Sequence, residues 1–210
     1  DDVLDITTFN VVAWMQQNLR LALEEELARA VLIGDGREVS NPDKIKETNI
    51  RPIWKDDELF SHKVLVDKDA KTEDVIDIVR RSRKFYKGSG MPVLFTTNAF
   101  VCDMLEIKDI NKRYIYETKQ AVANALNVSD VIEVEVMEGA KREVGGKTQN
   151  LLGIIVNMQD YTLGADKGGE TSFFEQFDID FNQQKYLLEA RCSGSLTKYK
   201  SAIVIEKATA

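Results

Sequence analysis

Over its first third the chain spaces apolar side chains three and four residues apart. Val12, Leu19, Leu23, Leu27 and Ala30 form one stripe, and Leu21, Ala28 and Leu32 widen it around the flank. The spacing predicts a helix from Phe9 to Ile33, capped by Thr7 or Thr8 and stopped by Gly34 in "IGDGR". At ~1.5 Å per residue this is a rod of about 38 Å. A stripe that wide needs cover on more than one face, from the rest of the chain or from another chain.

The period then changes. Pro52 in "NIRPIW" disfavours a central strand and predicts an extended edge or loop segment. A second helix is predicted from Thr72 to Lys87, with Thr72 as cap, Glu73 and Asp74 in its first turn, and Arg80, Arg81, Arg83, Lys84 and Lys87 crowding its last. That order matches the helix dipole and predicts a solvated basic end rather than a nucleic-acid patch. "GSGMPVLFTTNAFVCDMLEI" reads as a turn, a buried strand from Val93 to Thr96 and a helix capped near Thr97 or Asn98, and "ETKQAVANALN" as a short helix ending at Asn127. Ile132, Val134 and Val136 alternate with Glu133 and Glu135, predicting a half-buried strand with its carboxylates on the wet face. "LLGIIVNM" is an apolar strand, and the C-terminal third is mostly strand by its alternation. Helices and strands follow neither a regular βαβ order nor an internal repeat, so the predicted class is α+β.

Composition narrows the chemistry. Twenty-eight basic against 35 acidic side chains give a net charge of −7 over 210 residues, the opposite of the basic surface of a protein built around phosphate backbones. His62 is the one histidine, and Cys102 and Cys192 are far apart in sequence, which disfavours zinc clusters and histidine-based triads and suits a reducing compartment. No segment has the length of a membrane span and the N-terminus has no signal-peptide pattern, so a soluble protein of intracellular origin is expected.

Four stretches still invite a chemical reading. Gly145-Gly146-Lys147-Thr148 resembles the tail of a phosphate-binding loop, but that motif needs glycine at position 141, where this chain has Lys141, and a helix after it, where "LLGIIVNM" is a strand. A β-hairpin turn is expected instead. Asp178, Asp180, Asn182 and Glu189 fall at calcium-loop positions, yet the obligatory sixth-position glycine is Gln183, and Phe177, Ile179 and Phe181 alternate as in a strand. The carboxylates Glu133 with Glu135, and Glu24 to Glu26, are spread along solvated or interface faces rather than gathered in a cleft. Cys102 lies among Phe100, Val101, Met104 and Leu105, which predicts a core thiol. Catalytic, cofactor-binding and metal-binding residues are therefore all predicted as none, and no cofactor is expected.

The segments "LALEEELARAVLIGDGR", "NPDKIKETNIRPI", "MPVLFTTNAF", "LLGIIVNMQDYTLGADKGGE" and "FDIDFNQQKYLLEARCSGSLTKYKSAIVI" together, nearly end to end, resemble the major capsid proteins of tailed bacteriophages and prophages, the Hong-Kong-type capsid fold shared with encapsulins. The resemblance implies a peripheral domain built on a long spine helix and long strands, plus an axial domain of mixed sheet with flanking helices. It places the first part of the peripheral domain at 1–91, the axial domain at 92–160 and the return strands at 161–210. It implies a structural, non-enzymatic virion protein that assembles with copies of itself, as pentamers and hexamers, into an icosahedral head enclosing phage DNA. Assembly would take place in the bacterial host cytoplasm, with no sequence-specific nucleic-acid contact and no membrane. The N-terminal arm and extended loop of such proteins are expected to be missing from this chain, leaving a monomer or weak oligomer in isolation. Asn182 lies near the place where some relatives form an isopeptide cross-link, with Gln184 closer to the matching position, and the resemblance leaves cross-linking open. The alternatives are an encapsulin-like cargo shell, and a nucleotide-binding enzyme using Gly145, Gly146 and Lys147.

Overall fold

The opening rod is present as helix α1, Val11–Leu32, in a computed structural model that describes residues 11–37, 40–42, 44–165 and 172–209. The predicted caps Thr7 and Thr8 and the start at Phe9 lie outside the described residues. The stop is as expected. Gly34 adopts φ +86° and its amide donates to the Arg29 carbonyl at 2.8 Å, the left-handed reversal that glycine makes without a Cβ clash. Of α1, only Ala30, Val31 and Leu32 are buried. Val12, Leu19, Leu23 and Leu27 are half-buried and Leu21 is 51% exposed, so within this chain the stripe is fully covered only at its end.

The body is a six-stranded mixed sheet. Its strands are β1 (Ser61–Val66), β2 (Val93–Thr96), β3 (Val131–Glu133), β4 (Lys141–Val144), β5 (Lys147–Val156) and β10 (Ala202–Ala208). The order is β1-β10-β5-β2-β3, with β4 also on β5. β1 runs parallel to β10 and β2 parallel to β3, while β10, β2 and β4 are antiparallel to β5. A parallel pair needs a crossover. Between β2 and β3 it is made by α3 (Asn98–Leu105) and α4 (Lys119–Leu126), while α2 (Thr72–Ser82) follows β1.

These helices cover one face, where Val75, Val79, Phe100, Met104, Val122 and Leu126 pack on Val64, Leu94, Ile155, Ile203 and Ile205. The end of α1 and the loop carrying Ile53 and Trp54 cover the other, on Ile154, Val156, Ala202 and Val204. Ala202 to Ile205 are all 0% exposed. That is why "AIVI" is continuously apolar, as a strand covered on both sides must be. Pro52 lies in the expected extended segment, where Ile50 bridges to Gly194.

Two antiparallel ribbons leave the body: β6 (Tyr161–Ala165) with β9 (Cys192–Leu196), and β7 (Ser172–Asp178) with β8 (Gln183–Glu189).

Local signals that need only neighbouring residues are where the sequence puts them. The Thr97 hydroxyl accepts from the Phe100 amide at 3.3 Å, and Asn127 ends α4 in the left-handed region. Four expectations are corrected. α2 stops at Ser82 and a 3₁₀ turn takes Arg83–Phe85; Thr72 is its first residue, and the Lys71 amide donates to the Asp74 carboxylate at 3.3 Å. The strand predicted through Val136 ends at Glu133 and is followed by a 3₁₀ turn at Glu135–Met137. Val134 and Val136 pack half-buried against the core as the alternation predicts, whereas Ile132 is 40% exposed and Val131 and Met137 are buried; the turn after Glu133 breaks the period, so one face does not run through. The aromatic strand through Phe181 is broken by a hairpin turn at 179–182, where Asn182 takes φ +50°. Cys102 is exposed, because Phe100, Val101 and Met104 occupy the buried face of α3.

Candidate self-assembly surfaces

Gly145 and Gly146 form the two-residue turn between β4 and β5, at φ +59° and +77°, with Val144 paired to Lys147 across it. Positive φ at both positions is the geometry of a tight hairpin. A Cβ placed on either glycine meets nothing within 4 Å, and Lys147 is exposed. The loop lies open to solvent and encloses no space for a phosphate.

The calcium-loop residues are dispersed. Asp178 ends β7, where it pairs with Lys185 and accepts from the Asp180 amide at 3.1 Å. Glu189 ends β8 and pairs with Arg191 at 3.0 Å. Among the described residues no three His, Cys, Asp or Glu side chains are placed to hold a metal ion. Glu133 pairs with Lys119 at 2.5 Å and Glu135 is exposed on its turn. Glu26 lies 3.9 Å from Arg29 and 4.0 Å from Arg37.

Two buried carboxylates that the sequence reading passed over tie distant segments together. Glu206, 1% exposed, accepts from Trp54 Nε1 at 2.5 Å and Arg142 Nη2 at 2.8 Å. Beside it Lys63 Nζ donates to the carbonyls of Ile53 and Trp54 and to Ser61 Oγ. Burial pushes the Lys63 ammonium down to about 8, and the Arg142 charge adds to the shift while Glu206 opposes it. Asp160, also 1% exposed, accepts from the Ser89 amide at 2.6 Å and from Ser89 Oγ at 2.7 Å, with Lys198 at 3.4 Å. Tyr86, beside it, is raised to about 12 by burial first and then by Asp160. Every acid in these clusters is spoken for by neighbouring donors, so they clamp loops to the sheet.

The unusual chemistry lies outside the core. The β7–β8 ribbon exposes Phe174 by 51%, Phe177 by 52%, Ile179 by 82%, Phe181 by 71% and Leu187 by 56%. A two-stranded hairpin is marginal in water unless something packs on it, and here Phe173 on Tyr186, with ring centroids 5.8 Å apart, is the aromatic contact of one face. A second apolar tip is the loop between α3 and α4, with Ile110, Tyr114 and Ile115 all exposed. A groove of about 690 Å³ runs between α1 and the β6–β9 ribbon, lined by Leu23, Leu27, Ala30, Ile50, Leu163 and Ala190. Contiguous apolar surface on a folded body marks contacts with other molecules. The uncovered rod is legible in the sequence and the two tips are not, because a tip has no period to detect.

The chain was compared with known proteins. The model of the phage capsid family matches residues 1–207. No curated protein sequence is significantly similar. Among solved structures, the capsid of an empty GTA particle aligns over 100% of this chain and 70% of its own, at 12% identity and a TM-score of 0.66. A structure from Mycobacterium phage Bobi aligns over 100% of this chain and 69% of its own, at 14% identity and a TM-score of 0.65. At such identities the structural likeness establishes the fold. A family match that covers nearly every residue, on a fold whose apolar display lies on its periphery, carries the conclusion that this chain belongs to the phage capsid family.

Proposed function

We propose that the chain is the major capsid subunit of a tailed bacteriophage or prophage, assembling as pentamers and hexamers into an icosahedral head around phage DNA in the host cytoplasm. Its work is packing, with no catalytic step. The observation that carries this reading is the apolar surface on three separate elements: the groove beside α1, the β7–β8 ribbon and the loop between α3 and α4. A shell subunit meets neighbours on several sides at once, and closed shells need such heterologous contacts.

In this reading the peripheral part is built on α1 and the two ribbons, and the axial part on the sheet and helices α2 to α4. The stretches 1–91 and 161–210 enter the axial sheet through β1 and β10. Specific pairwise contacts bury about 1,200 to 2,000 Å², and a subunit of a closed shell makes several of them at once. Light scattering and electron microscopy on residues 1–210, and on the complete reading frame that contains them, test the proposal. Closed shells or capsomers from the complete protein are expected, and a strictly monomeric complete protein under assembly conditions defeats the reading.

A further inference from the structure

The basic end of the second helix is not what the helix dipole alone would build. That effect falls off within the last turn, and α2 ends at Ser82. Arg80 and Arg81 lie in its last turn, but Lys84 is in the 3₁₀ turn and Lys87 beyond it. A second segment then joins them from the turn between β9 and β10. The Lys87 amide donates to the Lys200 carbonyl at 2.8 Å, and the Lys200 amide to the Leu59 carbonyl at 2.8 Å. Segments more than a hundred residues apart are thereby stapled side by side.

The staple interleaves cations with rings. Lys84 Nζ lies 4.9 Å and Lys200 Nζ 5.8 Å from the centre of the Phe85 ring, and Lys87 Nζ lies 5.0 Å from that of Tyr199. Phe85 is 38% and Tyr199 49% exposed. Among the described residues none of Arg80, Arg81, Lys84, Lys87 and Lys200 pairs with a carboxylate. Arg83 and Lys198 are occupied elsewhere, on the Asn127 carbonyl and on Asp160. On a chain of net charge −7, five cations left without acids, three of them held over two exposed rings, are a local inversion of the surface.

We propose that this patch is a non-sequence-specific contact for the phosphate backbone of nucleic acid, with Lys84, Lys87 and Lys200 as its centre and Arg80 and Arg81 as its flank. Its assignment to the enclosed genome rests on the capsid reading; the binding itself does not. Cations unpaired by protein acids exchange their counterions for phosphates; the Phe85 ring is already taken by His62, at 4.6 Å between centroids, and the exposed Tyr199 ring offers the face on which an unpaired base stacks. The acidic remainder of the chain keeps the contact weak, as suits a shell that must release what it encloses.

Fluorescence anisotropy with labelled duplex and single-stranded oligonucleotides, on the unassembled chain at about 50 mM salt, tests the proposal. Binding is expected to weaken steeply as salt is raised. Lys84→Glu with Lys200→Glu should weaken it roughly tenfold or more at an unchanged melting temperature. Tyr199→Ala should weaken the single strand more than the duplex. Absence of binding at low salt, or binding unchanged in the double variant, overturns the proposal. So does poly-glutamate competing as well as DNA, or a double variant that binds DNA normally but self-associates less in light scattering; either outcome makes the patch a docking face for an acidic protein surface. Failure of the complete protein to form shells would leave the anisotropy result standing and sink only the capsid reading.

Discussion

Lys63 shows how a single residue reports on the packing around it. Its folded pKa of about 8 lies below the ordinary 10.5, so between those values the unfolded chain binds more protons than the folded one. Stability contributed by this site therefore rises with pH across that window. The denaturation midpoint of the wild type, compared with that of Lys63→Met, should shift in favour of the wild type as pH climbs from about 8 toward 10.5. A difference that stays flat would mean that Lys63 is better solvated than its three hydrogen bonds imply. At the β4–β5 turn, Lys147→Ala should change stability by less than about 0.5 kcal/mol, and nucleotide should not raise the melting temperature of either form. Residues whose role is set by near neighbours, such as Gly34, Thr97 and the glycine pair, were legible in the sequence. Glu206 was not, because its partners Trp54 and Arg142 lie 152 and 64 residues away and no local pattern announces them.

Among elements, burial separates those this chain completes from those it leaves for others. Ile205 on β10 is 0% exposed between two packed faces, so Ile205→Ala should cost about 2 to 5 kcal/mol. Leu27 on α1 is only half-buried, beside an open groove, and Leu27→Ala in residues 1–210 should cost less than about 1 kcal/mol. Urea denaturation of the two variants decides it, and equal losses would mean that the rod is as much a part of the core as the central strand. Element type was legible wherever a run was long: α1 and α2 follow from their helical spacing, and β5 and β10 from their continuous β-branched apolar runs. The end of the short edge strand β3 and the turn of the β7–β8 hairpin were not, because each depends on which neighbour the strand meets.

At the scale of the molecule, folding and association are separable. Phe177→Ser with Phe181→Ser should leave the melting temperature of residues 1–210 within a few degrees of the wild type, since both side chains are more than half exposed. The same pair in the complete protein should reduce the yield of closed particles seen by electron microscopy. Loss of fold in the double variant would show the ribbon to be part of the body after all. Helix α1, buried only in its last turn, has a mechanical consequence. It is a lever clamped at one end: over ~33 Å, at ~1.5 Å per residue, a tilt of about 5° at the clamp displaces the far end by roughly 3 Å. A subunit built this way can meet neighbours at the different inclinations that a curved surface demands while every strand of its sheet keeps its register.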